Sequence, residues 1–149
     1  MKLEARPVTS LVHLEQMRVI RNASREFMTR DQREISVAEQ IAWWNALDHE
    51  SWKCFVFVVG YDEPGDPVGY GITRSYQDGS YSVTGALLSE YRGKGLGRQL
   101  FQFLVKQAWG GKCWLEVLET NVRAQKLYES LGFRETKREN GIITMIEDA

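Results

Sequence analysis

No run of five like charges occurs anywhere in the chain, and nineteen Lys and Arg against twenty Asp and Glu leave a formal net charge of -1. A general nucleic-acid surface, which needs a broad basic face, is therefore not expected; at most a local cationic spot is. Long apolar runs are also missing. The longest, Cys54 to Val59, has six residues, against about 20 needed to span a bilayer. The N-terminus has no charged-then-apolar export pattern, so the expectation is a cytoplasmic protein with no membrane partner. Only two cysteines occur, Cys54 and Cys113, both inside apolar, strand-like runs, which points to buried thiols rather than a disulfide. His13 and His49 are the only histidines, and neither is an obvious general base.

What is present is an ordinary globular mixture, 43% hydrophobic and 26% charged, in a length that suits one domain over residues 1–149. Alternation over Lys2 to Pro7 predicts a strand, and Leu11, Leu14, Met17 and Ile20 repeat at helical spacing. Ser36 and Glu39 stand at capping-box spacing before Ile41, Trp44 and Leu47, predicting a helix from Val37 to about Asp48. Trp43 and Trp44, being adjacent on that helix, must face different sides. Strands follow over Cys54 to Tyr61, Val68 to Tyr76 and Ser80 to Leu88. The breaker-rich loop Asp62 to Pro67 and the Asp78-Gly79 turn connect them into an antiparallel meander.

Leu96, Leu100, Leu104 and Ala108 mark a third helix stopped by Gly110 and Gly111. Cys113 to Leu118 reads as a strand buried on both faces, and a fourth helix runs from about Asn121 to Leu131 with Gly132 at its stop. Phe133 to Arg138 and Ile142 to Glu147 flank Asn140-Gly141, a strong hairpin signal. The sum is an α+β domain: about seven strands in a mixed, mostly antiparallel sheet, with about four helices on its faces.

Gly93, Gly95 and Gly97 sit between a strand and a helix, where unpaired N–H groups and the positive end of the helix dipole suit an anion. Glycine lets a bulky phosphate approach the backbone, while Arg92, Lys94 and Arg98 add positive charge around it. Known phosphate loops do not fit. A P-loop needs Gly-Lys-Ser/Thr, but Gly95 follows Lys94, and the third glycine of a dinucleotide fingerprint is replaced by Leu100 or Arg98, depending on the register.

The segment Arg92-Gly93-Lys94-Gly95-Leu96-Gly97 resembles the acetyl-CoA-binding motif of the GCN5-related N-acetyltransferase (GNAT) superfamily, Arg or Gln, two residues, Gly, one residue, Gly or Ala. Asn121 to Phe133, with Asn, Ala, Leu-Tyr and Gly-Phe in register, is similar to the second signature of that family. The resemblance implies acetyl-CoA as co-substrate, no metal, and direct transfer of acetyl to a primary amine. It implies that the strand before the glycines splays from the parallel strand Cys113 to Leu118. The pantetheine arm would then bond to backbone groups of Ala86, Leu87 and Leu88, with Arg92, Gly93, Lys94, Gly95, Leu96, Gly97, Arg98 and Asn121 completing the cofactor site.

By the same resemblance Tyr128 is the acid that assists the departing thiolate. A phenol of ordinary pKa about 10 facing a thiol of about 8.5 makes full transfer uphill by about 2 kcal/mol, so a hydrogen bond is the more economical role. The base is less evident. Val83-Thr84-Gly85-Ala86 offers no carboxylate on the central meander, leaving Glu116 and Glu119 either as direct or water-mediated bases or as plain solvated carboxylates. Deprotonating a lysine-like amine at pH 7 costs about 4.6 kcal/mol, and an amine of pKa near 8 only about 1, which favours an acceptor of low pKa.

Acceptor choice is expected in the aromatic and basic stretch containing Arg21-Asn22, Arg25, Phe27-Met28, Arg33, Ile35-Ser36, Trp43-Trp44 and Trp52. Its residue order is similar to relatives that acetylate a nucleotide-linked amino sugar. Alternatives are another small amine, a peptide N-terminus or a lysine, and, in a different class, an acyl-CoA-binding module without catalysis. A homodimer is compatible with the sequence.

Overall fold

The structure, a computed structural model, describes residues 1–60, 65–107 and 111–147. The expected connection Asp62 to Pro67 lies partly outside these residues, and Ala108 and Gly110, expected to end the third helix, lie wholly outside them.

Seven strands form one sheet: β1 (Leu3–Pro7), β2 (Trp52–Val59), β3 (Gly69–Ser75), β4 (Tyr81–Leu87), β5 (Cys113–Leu118), β6 (Arg134–Glu139) and β7 (Ile142–Glu147), in the order β1-β2-β3-β4-β5-β7-β6. All neighbours are antiparallel except β4 and β5. Helices α1 (Leu11–Ala23) and α2 (Val37–Ala46) lie on one face, α3 (Leu96–Lys106) and α4 (Val122–Ser130) on the other.

Local chemistry accounts for the boundaries. Ser10 caps α1, accepting from the His13 N–H at 3.2 Å. The Ser36–Glu39 capping box closes in both directions, at 3.1 Å each way. At the β6–β7 hairpin Asn140 and Gly141 both have positive φ, 53° and 78°, as a tight two-residue turn between twisted strands requires. β6 is exposed and charged along its length, which blunts an open sheet edge.

Two apolar clusters sandwich the sheet. Leu96, Leu100 and Leu104 of α3 are wholly buried against Phe57, Val83 and Leu115, and each such side chain contributes about 1.5–3 kcal/mol by leaving water. Leu14, Met17 and Ile20 of α1 cover Cys54, Val56 and Tyr70 on the opposite face. Cys54 and Cys113 therefore lie in different clusters. Both thiols are free, and burial pushes each up to about 12.

Strand β5 departs from expectation. Its residues alternate, with Cys113, Leu115 and Val117 buried and Trp114, Glu116 and Leu118 half-exposed, because its second face borders an open cleft. The parallel ladder to β4 has only two rungs, Tyr81–Cys113 and Ser82–Trp114; beyond them the strands part.

Close approach of α3 to the meander depends on glycine. A Cβ on Gly85 would lie 2.8 Å from Leu100 Cδ2 and 2.9 Å from the Tyr70 carbonyl oxygen, and neither can retreat inside a packed layer. Gly85→Ala is expected to lower unfolding free energy by about 1–3 kcal/mol, read from denaturant midpoints; an unchanged midpoint would show that the layer yields.

Candidate active site

Where β4 and β5 separate, a cleft of about 1040 Å³ opens through the sheet. Its edges are backbone. The Tyr81 N–H donates to the Lys112 carbonyl and the Leu88 N–H to the Val68 carbonyl, both at 2.8 Å. Alternation along β4 then turns the groups of Gly85 and Leu87 toward the opening and those of Ala86 and Leu88 toward β3. Of the three residues expected to bond pantetheine, only Leu87 offers backbone to the cleft. Ala86 also lines the cleft, Leu88 does not, and Gly85, which was not among the three, does. Strand register, which decides this, was not fixed by the sequence motif.

At the end of β4 the chain makes a short 3-10 turn, Ser89–Tyr91, and then two left-handed glycines, Gly93 at φ 76° and Gly95 at φ 79°. Gly95 precedes α3 and supplies no side-chain cap, so the first N–H groups of the helix face the cleft without a helical partner. Gly93, Gly95, Gly97 and Arg98 line this end. Leu96, expected in the cofactor site, does not line it, and its side chain is in the core. Lys94 stands outside, with its ammonium 5.9 Å from the Tyr91 ring centroid.

The arginines divide. Arg92 donates from Nε and Nη2 to the Leu87 carbonyl, at 3.2 and 3.0 Å, and stacks 4.8 Å from the Phe27 ring, so it ties the glycine turn to β4. Arg98 donates to Ser130 Oγ at 2.9 Å. Arg123, which the sequence reading did not select, lines the cleft beside Gly93 and has no hydrogen-bond or ion-pair partner among the described residues. Asn121 caps α4, its Oδ1 accepting from the Ala124 N–H at 3.2 Å, and reaches the same opening.

Deeper in the cleft Tyr128 is held between Phe101, 4.9 Å away edge-on, and Phe133. It is 8% exposed, and its hydroxyl makes no hydrogen bond among the described residues. Burial, reinforced by the neighbouring Tyr70, pushes this phenol well above its ordinary range. Tyr70 lines the same space, with its hydroxyl 3.7 Å from Met28 Sδ, and burial raises it to about 12. Glu116 is the β5 carboxylate in the cleft. Arg30 donates to both its oxygens, from Nε at 3.1 Å and from Nη2. Glu119 is outside, 3.8 Å from Arg138. His13 and His49 do not line the cleft.

A glycine-started helix beside a splay between parallel strands is the arrangement implied by the resemblance; the cleft it opens also holds the buried Tyr128. A family model for acetyltransferases (GNAT) matches residues 15–133. The chain belongs to the acetyltransferase (GNAT) family. As a member it is an acetyl-CoA-dependent N-acetyltransferase.

Solved structures agree on the fold. A domain from Methanocaldococcus jannaschii superposes with a TM-score of 0.86 at 20% identity, covering 99% of each chain. A GNAT superfamily phosphinothricin acetyltransferase from Sinorhizobium meliloti, in complex with acetyl-CoA, gives 0.80 at 19% identity over 99% of this chain and 88% of its own. A ribosomal-protein-alanine N-acetyltransferase from Brucella melitensis gives 0.76 at 18% over 98% and 99%. No curated protein matches the sequence. Among the described residues no helix is long and apolar enough to cross a membrane, and no cluster of His, Cys, Asp and Glu could hold a metal.

Gly97 tests the anion end of this GNAT cleft. A Cβ there would meet only Leu127 at 3.4 Å and Leu87 at 3.8 Å, so the fold tolerates a side chain that a pyrophosphate would not. Gly97→Val is expected to weaken acetyl-CoA binding at least about 10-fold by calorimetry with circular dichroism unchanged; unaltered affinity in the folded variant would move the phosphate site elsewhere.

Proposed function

We propose that the protein transfers acetyl directly from acetyl-CoA to the primary amine of a small acceptor, and that the two substrates meet in the splay between β4 and β5. Supporting this reading above all is the Tyr128 hydroxyl, buried, unpartnered and lining the same cleft as Glu116. The pantetheine arm lies along Gly85 and Leu87, whose edge of β4 has no strand partner. Its pyrophosphate sits at Gly95, Gly97 and the start of α3, with Arg123 beside Gly93.

In the reaction the amine nitrogen attacks the thioester carbonyl carbon. The C–N bond forms, the C–S bond breaks, and the products are an amide and the CoA thiolate, which takes a proton from water once the cleft opens to solvent, while Glu116 returns its proton to water. Tyr128 donates a hydrogen bond to the departing sulfur. With its phenol raised above the usual range it is a weaker acid than a free tyrosine, so it steadies the thiolate rather than surrendering its proton outright. Glu116 receives the proton lost from the acceptor, directly or through water. Its present partner Arg30 has a side chain 72% exposed, so an incoming ammonium can take its place.

Tyr128→Phe keeps the ring packed on Phe101 and removes only the hydroxyl. Turnover is expected to fall about 100-fold with acetyl-CoA affinity nearly intact; turnover within about twofold of the parent, with chemistry limiting, would make Tyr128 structural. Because the phenol stays protonated far above neutrality, rates should rise as the acceptor amine deprotonates and then hold to pH 10. A falling limb below pH 10 that Tyr128→Phe abolishes would contradict the assignment. An acceptor of low pKa, such as an amino sugar, should outpace a lysine-like amine at pH 7, and efficient lysine acetylation without a steep alkaline rise would count against Glu116 receiving the proton from a low-pKa amine.

A further inference from the structure

We infer that the acceptor carries an anionic group, phosphate or carboxylate, at a distance from its amine, and that Arg74 receives it; this rests on the reading of the cleft as an N-acetyltransferase site. The carboxylates that line the cleft are already matched. Glu116 holds Arg30, and Asp31 and Glu39 both pair with Arg33, at 2.9 and 3.7 Å. The basic residues anticipated for the acceptor are engaged as well. Arg21, 9% exposed, donates to the carbonyls of Asp31 and Arg33, fastening the segment after α1, and Arg25 does not line the cleft.

Arg74 differs from all of these. It lines the cleft, has no carboxylate partner among the described residues, and makes one marginal hydrogen bond, to Tyr76 Oη at 3.5 Å. Its guanidinium lies 4.6 Å from the ring centroids of both Trp52 and Tyr76. Tyr76 is in turn fixed by Ser82, with Oη 3.2 Å from Oγ, and by Trp114, 5.6 Å away, while Trp43 meets Trp52 edge-on at 6.0 Å. Stacking leaves the in-plane N–H fork free, and that fork matches the two oxygens of a carboxylate or phosphate. A cation held this firmly, with no counter-charge among the described residues, is an anion receptor rather than a structural ion pair.

Register places the receptor relative to the chemistry. Trp52, Arg74, Ser82 and Trp114 form one row across β2, β3, β4 and β5. Glu116 lies two residues beyond Trp114 on the same face of β5. Two strand spacings and one two-residue step put the Arg74 and Glu116 Cα atoms about 12 Å apart. After both side chains reach inward, a sugar ring or a short chain fits between amine and anion.

The test compares matched acceptors by thiol release from acetyl-CoA: glucosamine 6-phosphate against glucosamine, and 4-aminobutyrate against butylamine. Parent enzyme is expected to prefer the anionic member of at least one pair by 10-fold or more in kcat/KM, and the favoured pair identifies phosphate or carboxylate. Arg74→Gln should collapse that ratio to near 1 through KM, Arg74→Lys should recover part of it, and acetyl-CoA affinity by calorimetry should stay the same in both. Neutral acceptors used as well as anionic ones, or a ratio unmoved in Arg74→Gln, would overturn the inference while leaving the acetyltransferase reading intact. Binding of acetyl-CoA with no thiol release to any of these amines, lysine or an N-terminal peptide would overturn both.

Discussion

The loss of pairing between β4 and β5 after two rungs is the constraint on which the rest depends. A strand in the middle of a sheet normally satisfies its backbone on both edges, and leaving several amide groups unmatched inside a protein costs about 1–3 kcal/mol each unless water or a ligand reaches them. Here the ladder stops at Ser82–Trp114, and the edge continuing through Gly85 and Leu87 faces a cleft. The amide-rich pantetheine arm that we propose to lie there would complete that edge as a strand would. The helices follow from the same break: α3 begins at Gly95, beside the end of β4, and α4 delivers Tyr128 across from it.

Charge in the cleft is arranged with similar economy. Most guanidinium groups there are tied to carbonyls, hydroxyls or carboxylates of the chain. Arg123 beside the glycine turn and Arg74 on its aromatic platform make no ion pair among the described residues. These two cations mark opposite ends of the opening, one suited to the phosphates of the cofactor and the other to the far end of the acceptor. Between them lie neutral or matched groups, Tyr70, Tyr128 and the Glu116–Arg30 pair. Burial of Tyr128 among them would strengthen the hydrogen bond we propose from its hydroxyl to a developing thiolate.

The fold was largely legible in the sequence because its signals are local. The Ser36–Glu39 box, the Asn140-Gly141 turn and the Leu96, Leu100, Leu104 stripe each specify an element by themselves. The glycine motif and the Tyr128 signature are local in the same way, and the fold brings both to one cleft. What escaped depends on register and on distant partners. Leu88 looks equivalent to Leu87 in sequence, and only the bond from its N–H to Val68 turns it away. Arg92 reads only as a phosphate ligand in sequence, and its bonds to the Leu87 carbonyl, which tie the glycine turn to β4, come from the fold. Arg74 carries no motif at all; its meaning comes from Trp52 on β2 and from Tyr76 after the end of β3.

Amide hydrogen exchange followed by NMR reports most directly on the central claim, that acetyl-CoA completes the open edge of β4. Without cofactor the N–H groups of Gly85 and Leu87 are predicted to exchange fast compared with that of Leu88, which is bonded to Val68. On saturation with acetyl-CoA, Gly85, Leu87 and the first turn of α3 should be protected by at least 10-fold while Leu88 changes little. Uniform protection across the chain, or protection that spares Gly85 and Leu87, would contradict it.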